Sequence, residues 1–152
     1  MKKRNIIYLL DLLDGLFLDA PIFIKFHPAT DEKKYINSLP ENMEVKNSDL
    51  YHLFEDSKIV IGISTGALVE AASLGIPVIS VDNKSGLTYN YLPNFGKGIL
   101  WERAQKAFEI VDLIDKFGSS VKRDARQMKS AGEELRRMCF CEPTEEMVLD
   151  AF

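Results

Sequence analysis

The chain has 152 residues, 46% of them hydrophobic and 28% charged, with 19 Lys and Arg against 23 Asp and Glu. That length supports one domain with a proper core and disfavours two, so residues 1–152 are read as one unit. The formal net charge of −4 argues against a nucleic-acid binder, which carries a basic excess, and the apolar content argues against disorder. Two cysteines make no disulfide framework. No uncharged apolar run reaches the roughly 18–20 residues that span a bilayer. Lys2-Lys3-Arg4 before Ile6–Leu10 has the look of a signal peptide, but Asp11 and Asp14 break the run and no small-residue cleavage site follows. The expectation is a soluble, cytoplasmic protein.

Short apolar runs alternate with amphipathic stretches along the chain. Ile6–Leu10, Pro21–Phe26, Met43–Val45, Lys58–Ile63 and Ile76–Val81 read as buried strands, and Ile99–Trp101 as a short sixth. Helices are predicted over roughly 30–38, 48–56 and 65–74. This alternation predicts an α/β fold: a single Rossmann-like, doubly wound parallel sheet of about five to six strands. Only about ten residues separate the first two strands, the lower limit for a parallel crossover. Further on, Ala104–Phe117 has helical spacing, and Gly118-Ser119-Ser120 reads as a stop and a new cap. Residues 119–152 are then a helical extension: a basic helix, a break at Cys139–Pro143, and a last helix capped by Thr144 with Glu145 and Glu146 in its first turn.

Ser57–Val81 is the most informative segment. It reads as strand, polar turn, helix, glycine stop, strand. Ser64, Thr65 and Gly66 sit where a strand gives way to a helix, a position that suits phosphate. Gly66 allows a ligand close to the backbone, and the two hydroxyls add hydrogen bonds. Glu70, one turn on, is placed to accept from ribose hydroxyls. The structural alternatives are an ordinary N-cap and a solvated glutamate. Position favours a ligand, because open α/β sheets bind at the carboxyl ends of their strands. His27-Pro28 closes another strand at the same edge, so His27 is either a donor to phosphate or hydroxyl or a residue bonded to a nearby carbonyl. Lys25 shares its face but lies further from the edge. Tyr89 and Tyr91 border a ligand or pack on the sheet edge. His52 reads as a surface residue. Cys139 and Cys141 read as free thiols, and no metal motif is present. G-x-G-x-x-G and the P-loop are absent. Between 122 and 137 six cations stand against three carboxylates; a solvated helix face is the default and peripheral contact with anionic lipid or an acidic partner the alternative.

KFHP, SDLYHLF and ISTGALVEAASLGIPVI together resemble the C-terminal, donor-binding half of GT-B glycosyltransferases of the bacterial capsule and surface-carbohydrate type. The resemblance covers roughly residues 22–152, and Glu142-Pro143-Thr144-Glu145-Glu146 is similar to the close of such chains. It implies that Ser64, Thr65 and Gly66 hold the donor's phosphates, that Glu70 binds ribose, that His27 lies at the nucleotide phosphate, and that Ser48–Leu53 frames the base. The implied substrate is a UDP- or CMP-linked nucleotide sugar, with no further cofactor and no metal. The implied partner is a second Rossmann-like lobe, which in inverting members supplies the catalytic base, so no catalytic residue is assigned. The same half-fold occurs in UDP-N-acetylglucosamine 2-epimerases, but their aspartate-serine-glycine-glycine turn and paired glutamates are replaced here by Ile63–Ala67 and one glutamate. A 2-epimerase-like fragment and a non-catalytic nucleotide-binding module or subunit are the alternative readings.

Overall fold

Runs of three or four residues form the strands, mostly apolar and β-branched at 22–24, 60–62 and 78–81 but carrying charged residues at 43–45 (Met-Glu-Val) and 101–104 (Trp-Glu-Arg-Ala), and the amphipathic stretches between them form helices. The computed structural model describes residues 2–14, 16, 20–84 and 88–140. The order is α1 (Lys2–Asp14), β1 (Ile22–Ile24), α2 (Lys33–Ile36), β2 (Met43–Val45), α3 (Leu50–Asp56), β3 (Val60–Gly62), α4 (Ala67–Ser73), β4 (Val78–Val81), β5 (Trp101–Ala104), α5 (Ala107–Arg123) and α6 (Ala125–Cys139). All pairings are parallel, with Ile22 opposite Met43, Val60 opposite Val78 and Val78 opposite Trp101. The α/β class and the three central helices therefore agree with the sequence reading.

The single sheet does not. The strands form a two-stranded sheet, β1-β2, and a three-stranded one, β3-β4-β5. Ile6–Leu10, expected as the first strand, lies inside α1. The reason is periodicity beyond the apolar run. Ile6, Leu9, Leu10 and Leu13 turn inward, while Ile7, Asp11 and Asp14 are exposed, a 3.6-residue repeat that five residues alone do not reveal. The short first crossover disappears with that strand. The last strand begins at Trp101, where the sixth was expected to end.

One core serves both sheets. It joins Met43 of β2 and Phe54 of α3 to Val78, Ile79 and Val81 of β4, Trp101 of β5, and Ile110, Phe117 and Leu135 of the long helices. Glu109 accepts from the backbone N–H groups of Gln105 (2.6 Å) and Lys106 (3.1 Å) and caps α5. The expected stop at Gly118 is not used: α5 runs through it to Arg123 and breaks at Asp124. A lone exposed glycine lowers helix propensity by only about 1 kcal/mol, less than Phe117 and its neighbours gain by packing. In α6, Met128, Ala131, Gly132 and Leu135 are buried, so its apolar side is spent inside the molecule. The expected helix from Thr144, with Glu142–Glu146 and Cys141, lies outside the described residues. No helix among the described residues is long and apolar enough to cross a membrane.

Two glycines give opposite expectations. A Cβ on Gly118 meets nothing within 4 Å, whereas one on Gly132 would lie 2.6 Å from the Gly75 nitrogen and 2.8 Å from its Cα. Gly118→Ala should raise stability by about 0.4–1 kcal/mol. Gly132→Ala should lower it by about 1–3 kcal/mol through overpacking. Urea unfolding measures both, and a Gly132→Ala midpoint at or above wild type would show that the α4–α6 contact has room to spare.

Candidate functional site

Parallel strands all end on one side of their sheet, so the segments after β1, β2, β3 and β4 are where side chains for a ligand gather. After β3 the chain makes a tight turn. Gly62 makes it possible, since a Cβ there would lie 2.9 Å from Leu68 Cδ2 and 3.0 Å from Thr65 Cγ2. Ser64 takes φ of +48°, a left-handed conformation unusual for a non-glycine residue. Its Oγ accepts from the Tyr89 N–H at 2.9 Å, which ties the turn to the loop after β4. Thr65 Oγ1 accepts from the Ala67 N–H at 3.3 Å. The N-cap position itself is Gly66, so Thr65 supports the turn one residue ahead of the cap.

Gly66 has an ordinary φ of −65° and open space where a Cβ would stand. Neither backbone strain nor packing demands glycine there. The helix that follows has seven residues, two turns, so its dipole is small and the hydroxyls carry more of any phosphate contact than the sequence suggests.

Glu70, in the first turn of α4, reaches across to the other sheet's side. It lies near Tyr51, at the start of α3, and raises the tyrosine's pKa above its ordinary value, first through hydrogen bonding toward the carboxylate and then through its negative charge, while Arg136 of α6 opposes the rise. Ser64, Thr65 and Gly66 therefore form the turn, Glu70 follows one helical turn on, and Tyr51 and Arg136 are its electrostatic neighbours. The resemblance implies a base-framing role for the segment that holds Tyr51, and the charge pattern puts Arg136 on a solvated face by default. Nothing in their spacing foretold a meeting with Glu70, because it depends on how α3, α4 and α6 pack.

His27 lies on the exposed turn after β1. Its Nδ1 accepts from the Ala29 N–H at 3.1 Å, which leaves Nε2 as the proton-bearing nitrogen of the neutral ring, a donor turned outward. Among the described residues no hydrogen bond or ion pair joins it to the Ser64–Glu70 segment. Tyr89 and Tyr91 do not pack down on the sheet: they stand edge to face at 4.7 Å, 66% and 52% exposed. Behind them Asp82 is nearly buried, and Arg103 holds its Oδ2 through Nε at 2.7 Å and Nη2 at 2.6 Å. His52 is a surface residue 4.0 Å from Asp49, and Cys139 is a free, exposed thiol. Among the described residues no three His, Cys, Asp or Glu side chains cluster to hold a metal ion.

A groove of about 650 Å³ at the α5–α6 junction is lined by Phe95, Arg123, Arg126, Ser130 and Arg137 among others. It shares no residue with the carboxyl-edge cluster. Its cations are those of the basic stretch, partly compensated by Asp124 and Glu134, so it fits the solvated-face reading.

No protein-family model, curated protein or solved structure matches this chain.

The Tyr51–Glu70 contact has a titration signature. Its hydrogen bond exists while Tyr51 keeps its proton, and is lost as pH rises through the raised pKa. In Glu70→Gln the carboxylate charge is gone, so the Tyr51 midpoint should fall back toward about 10. Carbon NMR of ring-labelled tyrosine follows it, and an unchanged midpoint would show that Glu70 is not the partner.

Proposed function

We propose that this chain is the donor nucleotide-sugar-binding domain of a metal-independent GT-B-type glycosyltransferase for surface or capsular polysaccharide. It is cytoplasmic and catalytically incomplete by itself. The observation that carries the reading is the arrangement at one edge: hydroxyls on a tight turn, an open glycine, and a carboxylate one turn on whose charge is felt by Tyr51 in the segment after β2. A nucleotide needs those three things in that order, namely donors for phosphate, room for close approach, and an acceptor for ribose hydroxyls. Tyr51 lies in the segment assigned to the base, so ribose at Glu70 and base near α3 are mutually consistent. Tyr89 and Tyr91 supply exposed aromatic faces beside Ser64, as a sugar or base would use. Any peripheral membrane contact through residues 122–137 is electrostatic, because the apolar side of α6 is already buried against the rest of the chain.

Binding is read by thermal shift with UDP, CMP, CDP, GDP and their sugar conjugates. At about 100 times its dissociation constant a nucleotide adds roughly 2.7 kcal/mol, or roughly 5–10 °C for a domain of this size. No shift at millimolar concentration with any of them would end the proposal. Glu70→Gln should weaken binding by about 1.5–3 kcal/mol, the range for a hydrogen bond to a charged group, with little change in folding. Gly66→Ala separates ligand from fold more sharply. Its melting temperature without ligand should hold or rise, since the added methyl meets nothing, while nucleotide affinity falls at least about tenfold, or about 1.4 kcal/mol. Normal affinity would leave Gly66 outside the ligand's path.

Chemistry needs a second surface. One edge offers no opposing wall to place an acceptor, exclude water and supply a base within hydrogen-bond reach. The purified chain should therefore release nucleotide from a nucleotide sugar far more slowly than the roughly 1–1000 per second of ordinary enzymes. Sustained turnover in that range would show that one lobe suffices.

A further inference from the structure

The two sheets each end in an edge of interior character. In a parallel strand the N–H and C=O of one residue point to the same side, and successive residues alternate sides. Ile22 donates to Asn42 and Ile24 accepts from Lys46, so these two face β2. Phe23 therefore offers both backbone groups to the opposite side. Val60 donates to Pro77, so with Gly62 it faces β4, and Ile61 offers both groups away from it. No described residue pairs with Phe23 or Ile61 on those sides.

Composition and burial point the same way. Lys58–Ile63 reads as a strand covered on both faces, yet Val60 and Ile61 are partly exposed, while every residue of β4 is buried. An apolar edge with unpaired backbone is a template for another strand.

The position of α1 says where that strand comes from. Asn83, just past β4, donates to the Asn5 side chain at 3.0 Å. Tyr8 donates to the Gln105 carbonyl, just past β5, at 2.6 Å. The start of α1 thus lies at the carboxyl edge, and its end leads to β1 at the amino edge. That is the course of a crossover helix in a β-α-β unit, whose first strand lies parallel to the second and finishes at the carboxyl edge. Strand order is compatible: if β1 and β3 face each other, β2-β1 and β3-β4-β5 fit the doubly wound order 3-2-1-4-5-6 with one position between them unfilled.

We infer that β1 and β3 flank one further parallel strand, formed by polypeptide that leads directly into α1 and bonded to Phe23 on one side and Ile61 on the other. It is extended and apolar on both faces, as an interior parallel strand must be, and it unites the two sheets into one of six strands. This inference is independent of what the carboxyl edge binds.

The test compares the 152-residue chain with two extended forms. One carries five β-branched residues and a short polar turn ahead of Met1; the other is the same length with proline at two of the five positions. Amide exchange by NMR reads Phe23 and Ile61, with Val78, bonded to the Leu100 carbonyl at 2.7 Å, as the paired reference. In the unextended chain Phe23 and Ile61 should exchange at least about 100-fold faster than Val78. The strand extension should slow both by about 100-fold or more and raise the melting temperature, and the proline form should do neither. Slow exchange of both amides in the unextended chain at every concentration would mean that β1 and β3 pair directly, and would overturn the inference. Slowing that grows with concentration, with a dimer in sedimentation, would assign the gap to a second copy instead. Equal exchange in the strand and proline forms would also refute it.

Discussion

The contact on which most of this structure depends is the crossing of α4 and α6 at two glycines. Helix α4 is too short to be stable alone; it is held because Leu68, Val69, Ala71 and Ala72 are buried. It ends at Gly75, whose φ of +81° suits glycine and turns the chain toward β4. Gly132 meets that turn so closely that no side chain fits between them. The crossing fixes where α4 begins, and with it the Ser64–Gly66 turn and Glu70. It also brings Arg136, one helical turn beyond Gly132, toward Tyr51 and Glu70. A charge that belongs to a basic surface helix in sequence is in this way placed beside the candidate site.

The polar features of the carboxyl edge have different kinds of support. Ser64 is held in an unfavourable backbone conformation by its bond to the Tyr89 N–H, and such strain is found mostly where surrounding structure over-determines a functional turn. Asp82 is held by both near nitrogens of one arginine, which keeps a nearly buried carboxylate paired and anchors the loop that carries the two tyrosines. Glu70 and His27 are freer. Both keep hydrogen-bonding capacity over: a carboxylate has several acceptor positions for its one tyrosine neighbour, and the His27 ring, whose Nδ1 accepts from Ala29, has its Nε2–H.

The sequence was most legible where chemistry and periodicity agree locally. Ser57–Val81 was read as strand, turn, helix, strand, and is so, because β-branched runs, a small-residue turn and a glycine stop all point one way. The errors come from the opposite situation. Ile6–Leu10 is too short to distinguish a strand from one face of a helix, and the carboxylates at 11 and 14, which fit the end of a strand equally well, are the exposed stripe of a longer helix. Gly118 was read as a stop, but its helix is held by Ile110 and Phe117 in the core. The partners of Glu70 were illegible for another reason: they lie on helices 19 and 66 residues away, and only packing brings them near.

The divided sheet and the candidate site are not separate matters. From β1 the chain proceeds outward to β2, and from β3 outward in the other direction through β4 to β5. A doubly wound sheet opens its ligand crevice at such a reversal, and if the two sheets are joined as inferred above it falls between β1 and β3. His27 follows one of those strands and Ser64 the other. A ligand that touches both would lie over the end of whatever occupies the space between them. A strand there would bring its own carboxyl-terminal turn, with unpaired N–H groups, into the floor between His27 and Ser64. On the inference drawn above, one interior strand would join the two sheets and with them the His27 and Ser64 turns, which no hydrogen bond or ion pair connects among the described residues.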